Sequence, residues 1–145
     1  MKILIFGLPG SGKTTLAREL AYYFCIPHHN ADFYRTLYND WDFSEAGRWR
    51  QVERMNRKVG VLDFVAPREI MRQEIRADVS IYMDTIKESR YKDTNEIFEK
   101  PIVTADYRVK KWIELNQLRK CLADFSPGTK DIQNFLKDAL PKLVK

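Results

Sequence analysis

Lys2-Ile3-Leu4-Ile5-Phe6-Gly7-Leu8-Pro9-Gly10-Ser11-Gly12-Lys13-Thr14-Thr15 is the stretch that decides how this chain folds. Its first five residues form a nearly continuous apolar run, the mark of a strand buried on both faces of a parallel sheet. Residues 7–14 then fit the pattern G-x-x-x-x-G-K-[ST] in full. Behind the loop, Leu16, Ala17, Leu20, Ala21 and Phe24 fall at helical spacing, and the pattern stops before Pro27. A glycine loop between a strand and a helix lets successive N–H groups turn inward around an anion, with the helix dipole behind them. In that arrangement Gly7, Leu8, Pro9, Gly10, Ser11 and Gly12 would cradle the phosphates of a nucleoside triphosphate. Lys13 would bridge its β- and γ-phosphates, the Thr14 hydroxyl would bind Mg²⁺, and Thr15 would face the α-phosphate.

Outward from the loop, strands and helices alternate. Pro27 to Ala31 reads as a short second strand, followed by an acidic and aromatic stretch, Asp32–Trp41. Ser44 is an N-cap for a helix through Lys58, with Gly47 as its weak spot. Val59–Ala66 is a third strand stopped by Pro67, and Arg68–Arg76 a short helix with Pro67 at its first position. Val79–Met83 is a fourth strand and Tyr107–Trp112 a candidate fifth, while Thr85–Pro101 shows no strong period. The tail carries Ile132, Phe135, Leu136 and Leu140 on one helical face, suited to covering the sheet. This alternation predicts a single α/β domain over 1–145, a P-loop NTPase fold of three α/β/α layers with a mostly parallel central sheet. Residues 85–101 would form a short lid-like segment.

Composition narrows the function classes. At 145 residues and 44% hydrophobic the chain can bury one core. Its apolar runs, such as Ile3–Phe6 and Val59–Leu62, fall far short of the roughly 20 residues a membrane span needs. A lone lysine ahead of a strand is no signal peptide. Cys25 and Cys121 suggest no disulfide framework, so a cytoplasmic, reducing setting is the natural expectation. The net charge of +5 suits an anionic small molecule. It is spread along the whole chain, without the basic patch that nucleic-acid binding needs. Cys25, His28 and His29 match no established metal-ligand spacing. A GTP switch protein would carry N-K-x-D and D-x-x-G elements, and neither is present.

The middle of the chain singles out a family. Asn30-Ala31-Asp32-Phe33-Tyr34-Arg35 and Asp42-Phe43-Ser44-Glu45-Ala46-Gly47-Arg48-Trp49-Arg50-Gln51 resemble the substrate region of adenylyl-sulfate (APS) kinases, D-G-D-x-x-R and then G-F-S-x-x-D-R-x-x-N. Val65-Ala66-Pro67-Arg68 is similar to that family's I-S-P-Y, and Ile81-Tyr82-Met83-Asp84 to its V-F-V-D. Tyr91 through Glu99-Lys100-Pro101 aligns with its lid end, F-T-G-I-D-x-x-Y-E-x-P. The resemblance runs from Met1 to about Pro101, and the F-S-x-x-x-R and E-K-P elements carry its specificity.

What the resemblance implies is ATP-dependent phosphorylation of the 3′-hydroxyl of APS, giving PAPS and ADP with Mg²⁺. Asp32 would orient that hydroxyl and take its proton, beside Lys13. Arg35 and Arg48 would grip the phosphosulfate, Phe43 would stack on the acceptor's adenine, Tyr91 would stand at the family's second stacking position, and Gln51 at its asparagine. Read from the residues alone, each has a plainer alternative. Asp32 could be a loop acid, Arg35 and Arg48 solvated, Phe43 a hydrophobic staple ahead of Ser44, and Tyr91 a lid packing residue. Asp63, at the end of the third strand, suits a carboxylate that holds Mg²⁺ through water, or is a plain strand-end acid. Arg68, Arg72 and Arg76 share one helix face, as a solvated stripe or as a phosphate clamp. Asn30 and Gln51 depart from the family pattern, and the lid is shortened between Arg90 and Tyr91. The competing functions are another small kinase, acting on a nucleoside, a nucleotide or a polynucleotide 5′-hydroxyl, and a nucleotide-binding module without turnover. A homodimer contact through the tail is left open.

Overall fold

A computed structural model describes residues 1–144. Five strands form one sheet in the order β2-β3-β1-β4-β5, every pair parallel: β1 (Lys2–Phe6), β2 (His28–Asn30), β3 (Gly60–Asp63), β4 (Val79–Met83) and β5 (Tyr107–Val109). The expected "mostly parallel" sheet is wholly so. β1 lies at its centre, which is why Lys2–Phe6 has no polar face: Ile3, Leu4, Ile5 and Phe6 are all fully buried. Alternation sends Ile3 and Ile5 into one helical layer and Leu4 and Phe6 into the other.

The first layer holds α1 (Lys13–Phe24), α6 (Leu115–Leu122) and the C-terminal helical run, α7 (Thr129–Asn134), a π-helical turn (Phe135–Ala139) and α8 (Leu140–Leu143). Ile132, Phe135, Leu136 and Leu140 are all buried there, so the tail covers the sheet as its periodicity predicts. The second layer holds α2 (Ala31–Tyr38), α3 (Glu45–Asn56) and α4 (Glu69–Ile75), with Tyr34, Val52, Met55, Met71 and Ile75 meeting Leu4, Phe6 and Leu62. A short α5 (Lys92–Ile97) lies within residues 85–101, the stretch expected to be lid-like.

Several boundaries move. Asp32–Trp41 is mainly helix α2, started by the Asn30 side chain, which accepts from the Phe33 amide at 3.1 Å. Ser44 caps α3 as expected, accepting from Gly47 N at 3.2 Å. Gly47 is required there, because a Cβ would collide with Asp42. β3 ends at Asp63 rather than Ala66, since the chain leaves the sheet and Ala66 turns to a left-handed φ of 42°. Pro67 precedes the α4 cap at Arg68 instead of opening the helix. β5 stops at Val109, and α6 was not foreseen. Among the described residues no helix is long and apolar enough to cross a membrane.

Candidate active site

All five strands point their C-terminal ends to one edge of the sheet, and the order reverses around β1, where α/β sheets open a crevice. The loop after β1, the start of α2 after β2 and Asp63 at the end of β3 all reach that edge. They line one cavity of about 750 Å³, together with the loop after β3 and the segment that carries Arg90, Tyr91 and Thr94.

The loop wall is built by backbone conformation. Gly10 and Gly12 have φ of 83° and 99°, a region open to glycine, and Gly12 caps α1 without any side-chain acceptor. The first turn of α1 therefore presents N–H groups with no intrahelical partner. Ser11 is fully buried with its hydroxyl lacking a partner among the described residues, as expected of a loop shaped around a polar group outside the chain. Lys13 is 8% exposed and donates from Nζ to the Leu8 carbonyl at 2.9 Å. Burial pulls its pKa from 10.5 down to about 8, against the pull of Asp63 and Asp32. At neutral pH such a lysine stays largely protonated, and a bound anion would raise its pKa again.

Trp112 lies across the outside of Gly12, where a Cβ would collide with its ring. Gly12→Ala therefore meets both an unfavourable φ and a displaced tryptophan, and nucleotide affinity is expected to fall about tenfold or more. Titration of intrinsic fluorescence with ATP checks this.

Behind the loop, Asn30 ties the sequence-predicted metal residues together. Its Nδ2 donates to Asp63 Oδ2 at 2.9 Å and to Thr14 Oγ1 at 3.3 Å, and His28 Nε2 donates to the same Asp63 oxygen at 2.9 Å. Asp63 is 1% exposed yet lines the cavity. A hydroxyl and a carboxylate, both oxygen donors, fit Mg²⁺, which takes one or two protein groups and fills its shell with phosphate oxygens and water. Among the described residues no three His, Cys, Asp or Glu side chains form a metal cage. His29 is occupied elsewhere, on Tyr34 and the Val59 carbonyl.

The opposite wall carries the acceptor-side candidates. Asp32 lies in the first turn of α2 and within the cavity lining. Arg35 is 4% exposed, its Nη1 held by the Asp40 and Asp42 carbonyls at 3.0 and 2.9 Å. Arg48 is 6% exposed, held by the Phe43 carbonyl at 2.9 Å and Thr94 Oγ1 at 3.3 Å. Neither is solvated. Burial lowers the pKa of both guanidinium groups. Both lie over the Phe43 ring, at 4.4 and 5.4 Å from its centroid. Phe43 itself is 46% exposed in the cavity beside Trp41, and Tyr91 is 45% exposed on the lid side. Gln51 is buried against α2, donating to the Ala31 carbonyl at 2.7 Å.

Three residues that contact the candidate site or its lining carry no clear signal in the sequence. Asn30 stands where the family pattern has an acid, His28 lies in the short second strand, and Arg72 is one arginine of a stripe. Arg72 is fully buried; Arg68 pairs with Glu45 at 3.1 Å and Arg76 is exposed at the end of α4. The three do not act as one surface.

A parallel five-stranded sheet between two helical layers, with G-x-x-x-x-G-K-T joining β1 to α1, defines the P-loop three-layer α/β/α class. Solved structures share that fold. The APS kinase of Mycobacterium tuberculosis in complex with AMPPNP and APS superposes with a TM-score of 0.65 at 16% identity, over 85% of this chain and 95% of that one. Shikimate kinase from Acinetobacter baumannii in complex with shikimate gives 0.62 at 15%, over 96% and 94%. A sugar kinase from Janibacter sp. gives 0.60 at 14%, over 99% and 98%. At such identities the likeness is one of fold. No protein-family model matches the chain, and neither does any curated protein.

Proposed function

We propose that this chain is a Mg²⁺-dependent phosphotransferase that moves the γ-phosphoryl group of ATP to an alcohol, and that its acceptor is APS, phosphorylated at the 3′-hydroxyl. The observation that carries the reading is the shared cavity: Lys13 and Thr14 on one wall, Asp32, Arg35, Phe43 and Arg48 on the other. The family resemblance of residues 30–51 supports the choice of acceptor, and the kinase neighbours support the reaction class.

The chemistry follows from the parts. The loop amides and Lys13 hold the triphosphate, with Lys13 Nζ exchanging the Leu8 carbonyl for phosphate oxygens. Thr14 directly, and Asp63 through water, would hold Mg²⁺, which neutralises charge on the phosphates. Asp32 aligns the acceptor hydroxyl and takes its proton as the new O–P bond forms, while the bond to the β,γ-bridging oxygen breaks and ADP leaves. Arg35 and Arg48, anchored to carbonyls by part of each guanidinium, direct their remaining donors at the acceptor's phosphosulfate. Phe43 presents a flat apolar ring for a base. The free cysteines Cys25 and Cys121 suit a reducing compartment, and we place the protein in the cytoplasm.

The test is ADP release from Mg-ATP with APS, beside nucleosides, nucleotides and 5′-hydroxyl oligonucleotides. Stimulation by APS above all others is expected; stimulation by another acceptor alone would assign a different small kinase, and none would leave a binding module. Arg48→Ala should raise the APS KM by about tenfold or more, with the ATP KM within about twofold. An unchanged APS KM would remove Arg48 from the acceptor site.

A further inference from the structure

Among the described residues Arg72 is the largest fully buried side chain, and it is charged. The Nε and Nη2 donors of this buried cation are met, whereas Nη1, 3.9 Å from the Glu69 carboxylate, has no hydrogen-bond partner among the described residues. Its Nε donates to the Ala66 carbonyl at 2.7 Å, and its Nη2 to the Pro67 carbonyl at 3.0 Å and to the Glu99 carbonyl. The guanidinium packs over two rings, 4.5 Å from the centroid of Phe6 and 5.1 Å from that of Phe98. Burial lowers its pKa to about 10, so it stays charged at neutral pH.

The carbonyls it grips have a common location. Ala66 and Pro67 line the cavity beyond Asp63, and Glu99 lies at the end of the 85–101 segment, whose earlier residues, among them Tyr91 and Thr94, line the same cavity. Ala66 is a buried non-glycine residue at φ 42°, a conformation that persists only when its surroundings impose it. The Pro67 carbonyl also accepts from Glu99 N at 2.7 Å. One turn away, Glu69 makes a second grip. Its carboxylate accepts from Ile102 N at 2.6 Å and from Thr104, while its own amide donates to the Glu99 carboxylate at 3.0 Å. At its other end the lid is fastened to the phosphate loop, Thr85 Oγ1 donating to the Ser11 carbonyl at 2.7 Å.

We propose that Arg72 is a positioning residue for phosphoryl transfer: it holds the Ala66–Pro67 wall and the Glu99 end of the lid in register across the acceptor side of the cavity, with Glu69 as the second grip. Its kinetic consequence rests on the kinase reading; its structural consequence does not. A lysine keeps the charge but, with a single nitrogen, cannot reach Ala66, Pro67 and Glu99 together.

Hydrogen exchange on the unliganded protein separates this role from plain core packing. In Arg72→Lys, exchange at the amides of Glu99, Ile102 and Thr104 should rise about tenfold or more while Leu4 and Phe6 in β1 stay protected. For an acceptor that the parent protein turns over, KM should rise about tenfold with the ATP KM within about twofold. Unchanged exchange at 99–104, a uniform rise that includes β1, or an equal rise in both KM values would overturn the proposal. Should Arg72→Lys not fold, Glu69→Gln leaves the guanidinium in place and should still speed exchange at Ile102 and Thr104 severalfold; no change there overturns it as well. Should the parent protein turn over no acceptor, the kinase reading fails while the exchange result still decides Arg72.

Discussion

Asp32→Asn is expected to lower phosphoryl transfer by about 10²- to 10⁴-fold, the range for removing a positioned general base, while ATP affinity changes less than about twofold. The asymmetry comes from position. Asp32 lies in the first turn of α2, on the proposed acceptor side, whereas the proposed phosphate holders are the loop and the start of α1. The variant is also nearly isosteric, and the α2 cap belongs to Asn30, so the helix that carries residue 32 stays in place. Single-turnover transfer, compared with ATP binding by calorimetry, checks it. Near-normal turnover would return Asp32 to an ordinary first-turn acid.

Lys13→Met should abolish measurable transfer and at the same time stabilise the fold. Loss of activity follows on the proposed reading, in which Lys13 is the only side-chain cation the loop would supply to the phosphates. The gain in stability follows from burial. An ammonium group whose pKa falls from 10.5 to about 8 on folding costs about 3 kcal/mol at neutral pH. Allowing about 1 kcal/mol for the lost bond to Leu8, the net gain is about 2 kcal/mol, or about 5 °C in Tm for a domain of this size. The sign fixes the pH window. The penalty is fully present below pH 8, declines between about 8 and 10.5 as the folded protein releases its proton, and is absent above. The Tm difference between parent and variant should therefore shrink across that interval. A variant no more stable than the parent at pH 7 would contradict the burial argument.

How far the sequence reaches is set by the range of the interactions involved. The loop and its strand were legible because every residue from Lys2 to Thr14 answers a local demand: a central strand, a turn at positive φ, a helix start. The C-terminal helical face was legible because Ile132, Phe135, Leu136 and Leu140 obey one period. Helix α2 was not: Tyr34 and Arg35 are its only buried residues, and the cap that starts it is an asparagine easily read as a missing acid. Arg72 lay beyond reach for a different reason. Helical spacing places it with Arg68 and Arg76, but its fate depends on carbonyls at 66, 67 and 99 that only the tertiary fold brings to it. Arg35 and Arg48 stand out as acceptor-side candidates only through family resemblance; their anchoring to the Asp40, Asp42 and Phe43 carbonyls is visible only in the structure.

The central claim, transfer from ATP to APS, is tested most directly by following the label of [γ-³²P]ATP in the presence of Mg²⁺ and APS. Label is expected in PAPS, released by a 3′-nucleotidase, with one ADP formed per label transferred. Label found only in inorganic phosphate, or retained in ATP, would contradict it.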